Sequence, residues 1–101
     1  MKTIKNWLLS GLLFLVVSTV FSQGKITGVI TDGESFLPGA NVAIQGTSDG
    51  TLTGFDGKFE ITTTEKSGQL IVSYIGYKNQ IINFTISNEI ANLGNIVLVS
   101  E

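Results

Sequence analysis

Beyond Gly24, apolar and polar residues alternate with a period of two through most of the chain. The segment Lys25–Thr31 puts Ile26, Gly28 and Ile30 on one face. In Asn41–Gly46, Val42 and Ile44 alternate with Asn41, Ala43 and Gln45. In Lys58–Thr63, Phe59 and Ile61 alternate with Lys58, Glu60 and Thr62, and in Gln80–Ile86 the inward set is Ile82, Phe84 and Ile86. Successive side chains of a strand point to opposite faces, so this period predicts strands with one buried face. Thr51–Gly54 reads as a further short strand, and Asn95–Ser100, with Ile96, Val97, Leu98 and Val99, as the last. Gln69–Ile75 differs: Leu70, Val72 and Tyr74 oppose Ile71 and Ile75, so both faces are apolar. That predicts a strand in the middle of a sheet, covered on both sides.

Turn chemistry falls between these runs. Asp32-Gly33-Glu34-Ser35, Pro38-Gly39, Asp49-Gly50, Asp56-Gly57, the polar loop Thr64–Gly68, Gly76 and Ser87-Asn88-Glu89 mark the breaks. Glycine accepts a positive φ, and aspartate bonds nearby backbone N–H groups. No window after Gly24 carries the helical period. Seven short strands at regular spacing predict an all-β sandwich.

The amino terminus follows a different pattern. Lys2 and Lys5 precede an apolar run from Trp7 to Phe21, which ends in the small and polar residues Ser22, Gln23 and Gly24. A positive start, an apolar centre and a small-residue boundary predict a secretory signal peptide over residues 1–22, cut after Ser22. The rival is an uncleaved anchor, because the uncharged stretch between Lys5 and Lys25 is 19 residues long, close to the ~20 a spanning helix needs. Its polar residues gather at the end, which leaves the apolar part short for a span. The expected organisation is an export signal followed by one domain over residues 23–101, with no second domain.

The remaining stretch of about eighty residues is enough for a single small core. All eight acidic residues of the chain lie in it, and the formal net charge is −2. The chain contains no arginine, histidine or cysteine. Phosphate recognition usually shows clustered Lys and Arg, so nucleic acid is not an expected partner. Without cysteine an exported domain relies on its core alone, and no lipid-modified cysteine can follow the signal.

The same absences remove the usual general base, the thiol nucleophile, zinc-type ligand sets and the bidentate anion clamp. Asp32, Asp49 and Asp56 are the carboxylates that could pair for acid–base work or bind calcium. Each lies in a predicted turn beside glycine, and the Asp-x-Asp-x-Asp-Gly spacing of a calcium loop is absent. The expectation is no catalytic residue, no cofactor site and no metal site. Among the aromatics, Tyr74 is expected in the core and Tyr77 as a core tyrosine with a bonded hydroxyl. Phe36 and Phe55 fall in turns, where they either fold back over an open sandwich end or form a contact surface.

The run from Phe36 to Ile61 also carries a resemblance. Leu37, Gly39-Ala40, Val42, Gly46-Thr47, Thr53 and Gly57-x-Phe59 match the pattern of the carboxypeptidase regulatory-like domain, a small sandwich of the transthyretin-like type, and Tyr74-Ile75-Gly76-Tyr77 extends the match. Gly54 departs from it, standing where the family usually has Asp or Asn, and Asp56 is the candidate to cap that turn instead. The resemblance covers Lys25 to about Val99. It implies a non-catalytic structural or regulatory module of the kind found at the amino terminus of TonB-dependent outer-membrane receptors in Gram-negative bacteria. The implied location is the periplasm or outer membrane, and the implied partners are envelope proteins. Membrane contact is expected only through the amino-terminal segment before cleavage, and no small-molecule substrate is indicated. The chain reads either as a free-standing domain or as the leading part of a longer transporter. A sugar- or peptide-binding module is the competing class, although no aromatic platform of neighbouring Trp and Tyr supports it. Ile96–Val99, or whichever outer strand lies exposed, is the candidate edge for pairing with a partner strand; the alternative, which is favoured, is that this strand simply pairs inside its own sheet.

Overall fold

The computed structural model describes residues 23–101. The expected signal peptide, residues 1–22, lies outside the described residues. The strands are β1 (Gly24–Thr31), β2 (Asn41–Ile44), β3 (Gly50–Leu52), β4 (Lys58–Thr63), β5 (Ser67–Ser73), β6 (Gln80–Thr85) and β7 (Ile90–Val97). Among the described residues there is no helix. The strands form two sheets, one in the order β4-β1-β7 and the other in the order β3-β2-β5-β6. The first and last strands pair in parallel, and every other named pair is antiparallel.

The period-two pattern places the core between the sheets. Ile26, Ile30, Phe59, Ile61 and Ile96 come from one sheet, and Val42, Ile44, Leu70, Val72 and Phe84 from the other; all are buried. Each such side chain contributes roughly 1.5–3 kcal/mol on leaving water. Two glycines make room for aromatic rings. Gly28 faces Phe59 across the β1–β4 pair, and a Cβ at Gly28 would lie 2.7 Å from that ring. Gly68 sits under Phe84 in the same way, at 3.2 Å.

The structure corrects the sequence reading in two strands. The last strand begins at Ile90, five residues before the expected Asn95. Gly94 interrupts the alternation without ending the strand: it sits in a bulge at φ 68°, where the β1–β7 register shifts between Thr27 and Val29. The Asn92 Oδ1 accepts the Gly94 N–H at 3.1 Å, which satisfies the donor that the bulge removes from the ladder. The second correction concerns β5. It lies inside its sheet as expected, but its outer face is open: Ile81 beside it is 59% exposed, and Ile75 has left the strand and is 96% exposed. A run apolar on both faces fits a doubly covered strand, yet here only the inner face has a second layer.

Candidate interaction pole of the sandwich

The connections gather at two poles. At one, backbone bonds join consecutive turns: Leu37 N to Ile30 O, Ile30 N to Gly57 O, Gly39 N to Thr53 O, Leu98 N to Thr31 O, Lys78 N to Val99 O and Glu101 N to Gly76 O. Residues 32–40, 53–57, 74–79 and 98–101 therefore form one continuous end, here called the upper pole. The lower pole holds residues 45–49, 64–66 and 86–89, joined by Ile86 N to Lys66 O and by Lys25 N to Glu89 O.

The upper pole is built on two polar anchors. Thr53, 6% exposed, accepts the Ala40 N–H at 2.8 Å and donates to the Leu37 carbonyl at 2.5 Å, fixing the loop before β2 onto the end of β3. The other anchor is Asp32. One carboxylate oxygen accepts the N–H groups of Glu34 (2.9 Å) and Ser35 (2.7 Å), and the other accepts the Tyr77 hydroxyl at 3.0 Å. Hydrogen bonds to the charged form favour it, so the Ser35 and Glu34 N–H groups, and then the Tyr77 hydroxyl, hold the Asp32 carboxyl below the usual carboxylate range. The same bond to Asp32 pushes the Tyr77 hydroxyl upward. All three donors favour the charged carboxylate, so the arrangement makes Asp32 a fastener between its own turn and Tyr77.

The turn acids divide in role. Asp56 Oδ1 accepts the Lys58 N–H at 3.1 Å, so it supplies the cap that Gly54 cannot. Asp49 does not cap its own turn; its carboxylate accepts from Thr63 at 3.4 Å, while the Thr47 hydroxyl accepts the Asp49 N–H at 3.1 Å. The structure does not bring Asp32, Asp49 and Asp56 together, and among the described residues no group of three His, Cys, Asp or Glu converges.

Tyr77 has the bonded hydroxyl that the sequence indicates, but it and Tyr74 are half-buried against the core, where the sequence places both inside it; their rings are 5.7 Å apart at 56°. Both flank a depression of about 770 Å³ at the upper pole, together with Pro38, Asn41, Ser73 and Ile75. Tyr77 spends its hydroxyl on Asp32, and the tilt between the rings denies a ligand a flat double platform. Phe36 and Phe55 do not fold back: they are 58% and 98% exposed. With Ile75 and Val99 (58%), they place four exposed large apolar side chains at the upper pole, among polar ones such as Glu34, Lys78 and Glu101, whereas the lower-pole turns expose no large apolar side chain. Sequence reasoning missed the role of Thr53, because a threonine in a short strand suits either face. It also missed the partner of Tyr77, 45 residues away, which no local pattern reveals.

Comparison with known proteins agrees with this architecture. The CarboxypepD_reg-like domain matches residues 26–101. TonB-dependent receptor P39 of Formosa agariphila is 31% identical over 115 aligned positions, covering 97% of this chain and 11% of the receptor. TonB-dependent receptor SusC of Bacteroides thetaiotaomicron is 41% identical over 71 positions, covering 67% of this chain and 7% of that receptor. The chain thus spans about a tenth of these relatives or less. Among solved structures, a chain of a type II Cohesin-X-Dockerin complex from Acetivibrio cellulolyticus superposes with a TM-score of 0.66 at 18% identity, over 76% of this chain and 58% of that one. That likeness concerns the fold alone.

Proposed function

The chain belongs to the CarboxypepD_reg-like domain family, and from that premise we propose that it is a non-catalytic, exported module of the Gram-negative cell envelope that works by contact with an outer-membrane TonB-dependent transporter. The observation that carries the reading is the difference between the poles. Turn residues normally turn polar groups to water, yet Phe36, Phe55 and Ile75 present large apolar side chains at one end. Clustered exposed apolar groups cost solubility, and contact surfaces are where proteins keep them. The relatives are TonB-dependent receptors, which supports a transporter as the surface opposite this pole, whether in the same polypeptide or another. Asp32 and Tyr77 organise the pole and do no chemistry, so hydrolysis of peptide, ester or glycoside substrates is not expected.

A photo-crosslinking amino acid placed at Phe55, with Ser48 at the lower pole as control, tests the reading in source cells. The expected result is a crosslink from Phe55, and not from Ser48, to an outer-membrane transporter, with the protein recovered from the envelope fraction and beginning at Gln23. Recovery from the cytoplasm with Met1 intact, or equal crosslinking from both positions, would overturn it.

A further inference from the structure

The two sheets have four edges, and three of them carry protection against pairing with another chain. β3 is only three residues long. β4 turns Lys58 and Glu60 outward, and Glu60 pairs with Lys25 at 3.2 Å. β7 carries the Gly94 bulge, which breaks its register. Short length, charge and bulges are the usual means of blunting an edge. β6 has none of them. It runs six residues, Gln80–Thr85, without charge, proline or glycine, and its register with β5 is unbroken from Val72↔Gln80 to Ser67↔Thr85.

The free groups of this edge follow from the ladder. The bond from Ile86 N to Lys66 O at 2.7 Å makes that pair a hydrogen-bonded one. Bonded and non-bonded pairs alternate in an antiparallel ladder, so Phe84 and Ile82 bond to β5, whereas the N–H and C=O of Ile81, Asn83 and Thr85 point away from it. The sheets are tied at both ends of this edge, by Lys78 N to Val99 O above and by the Ser87–Ile90 turn below. The open stretch is therefore residues 81–85, and the side chains of Ile81, Asn83 and Thr85 are all exposed.

We infer that β6 is a self-pairing edge, through which two copies of the chain join in one continuous sheet. Antiparallel pairing about a two-fold axis at Asn83 places Asn83 opposite its copy and Ile81 opposite Thr85 of the copy. This register satisfies the edge groups of all three residues at once, and no group of either copy is left over within the open stretch. Nothing in it opposes like charges. Asn83 Oδ1 already accepts from Gln69 at 3.1 Å, which holds the amide side-on with its N–H₂ free to donate across the axis. On the inner side Ile82 meets Phe84 of the copy. An isologous contact of this kind is closed, so it yields a dimer and not a fibre.

The full-length chain, purified as the cell processes it, tests this by sedimentation and by disulfide trapping, which is clean because the protein has no cysteine of its own. The expected results are a concentration-dependent species of twice the monomer mass, its loss in Asn83→Lys with an unchanged β-type circular dichroism spectrum, and rapid formation of a crosslinked dimer by Asn83→Cys under mild oxidation. Glu60→Cys on the β4 edge should crosslink many-fold more slowly. A monomer at every concentration, a dimer that persists in folded Asn83→Lys, or equal crosslinking at both cysteine positions overturns the inference.

Discussion

The Tyr77 hydroxyl donates to the Asp32 carboxylate at 3.0 Å across 45 residues of chain, joining the turn after β1 to the turn after β5. The pH dependence of this link has a definite sign. The folded pKa of Asp32 is lowered, so its contribution to stability is present above the unfolded value near 4 and is lost as pH falls through the folded value. That of Tyr77 is raised, so its contribution is present below about 10 and is lost as pH rises through the folded value. In Tyr77→Phe, the Asp32 carboxyl should titrate closer to its usual range yet remain below it, because the Ser35 and Glu34 N–H groups, the stronger influences, are still there. Carboxyl-carbon NMR across the acid range measures this directly, and an unmoved Asp32 titration would show that the bond is not made in solution.

Val72 and Val42 face each other across the β5–β2 pair, and both are fully buried. Val72→Ala removes two methyl groups from the centre of the sandwich and should cost about 1–3 kcal/mol. Urea unfolding reads the change as a lower midpoint at constant slope. An unchanged midpoint would take Val72 out of the core.

Thr53→Val keeps the shape of the side chain and removes its hydroxyl. Ala40 N and Leu37 O then lose their partner in a buried setting, for an expected cost of about 1–3 kcal/mol. Thr51→Val, at a half-buried site on β3 two residues before Thr53, should change stability by less than about 0.5 kcal/mol. Paired thermal melts of the two variants separate a specific loss from a general intolerance of β3.

Gly46 and Gly57 both have positive φ, at 83° and 73°. A Cβ at Gly46 meets nothing within 4 Å, whereas one at Gly57 lies 2.5 Å from the Ile30 carbonyl oxygen. Gly46→Ala should therefore cost only the conformational term, roughly 1–2 kcal/mol. Gly57→Ala should cost a further 1–3 kcal/mol or so, since backbone cannot yield as a side chain can. Equal costs in denaturant unfolding would mean that the Asp56-Gly57 turn does not press on β1.

Much of the fold was legible because strand period and turn chemistry are local. Ile26, Ile30, Val42, Ile44, Phe59, Ile61 and Phe84 all face inward as their alternation requires, and Asp56 caps the turn that Gly54 leaves uncapped. What stayed hidden depends on the third dimension. The early start of β7 was masked by Gly94, which looks like a terminator until β7 is seen to carry one extra residue as a bulge opposite β1. The apolar outer face of β5 suggests a cover that the topology does not supply. The sequence offers the seventh strand as a candidate open edge, against simple pairing inside its own sheet; β7 pairs with β1 on one side and lies at an edge on the other. Its bulge, though, moves the unprotected role to β6, a distinction that needs strand order and register together. Phe36 and Phe55 could be placed in turns from sequence, but only the structure decides that they point to water.

The parallel pairing of β1 with β7 has a mechanical consequence. A pull applied through Gln23 and Glu101 draws the start of β1 and the end of β7 in opposite directions along a shared ladder that extends from Lys25↔Ile90 to Thr31↔Val97. The load then falls on the rungs side by side, in shear, and they must give way together; in a hairpin pulled from its open end the rungs would instead break in succession. Placed in line between two larger bodies, the domain would behave as a stiff link that resists extension until its first and last strands slide apart.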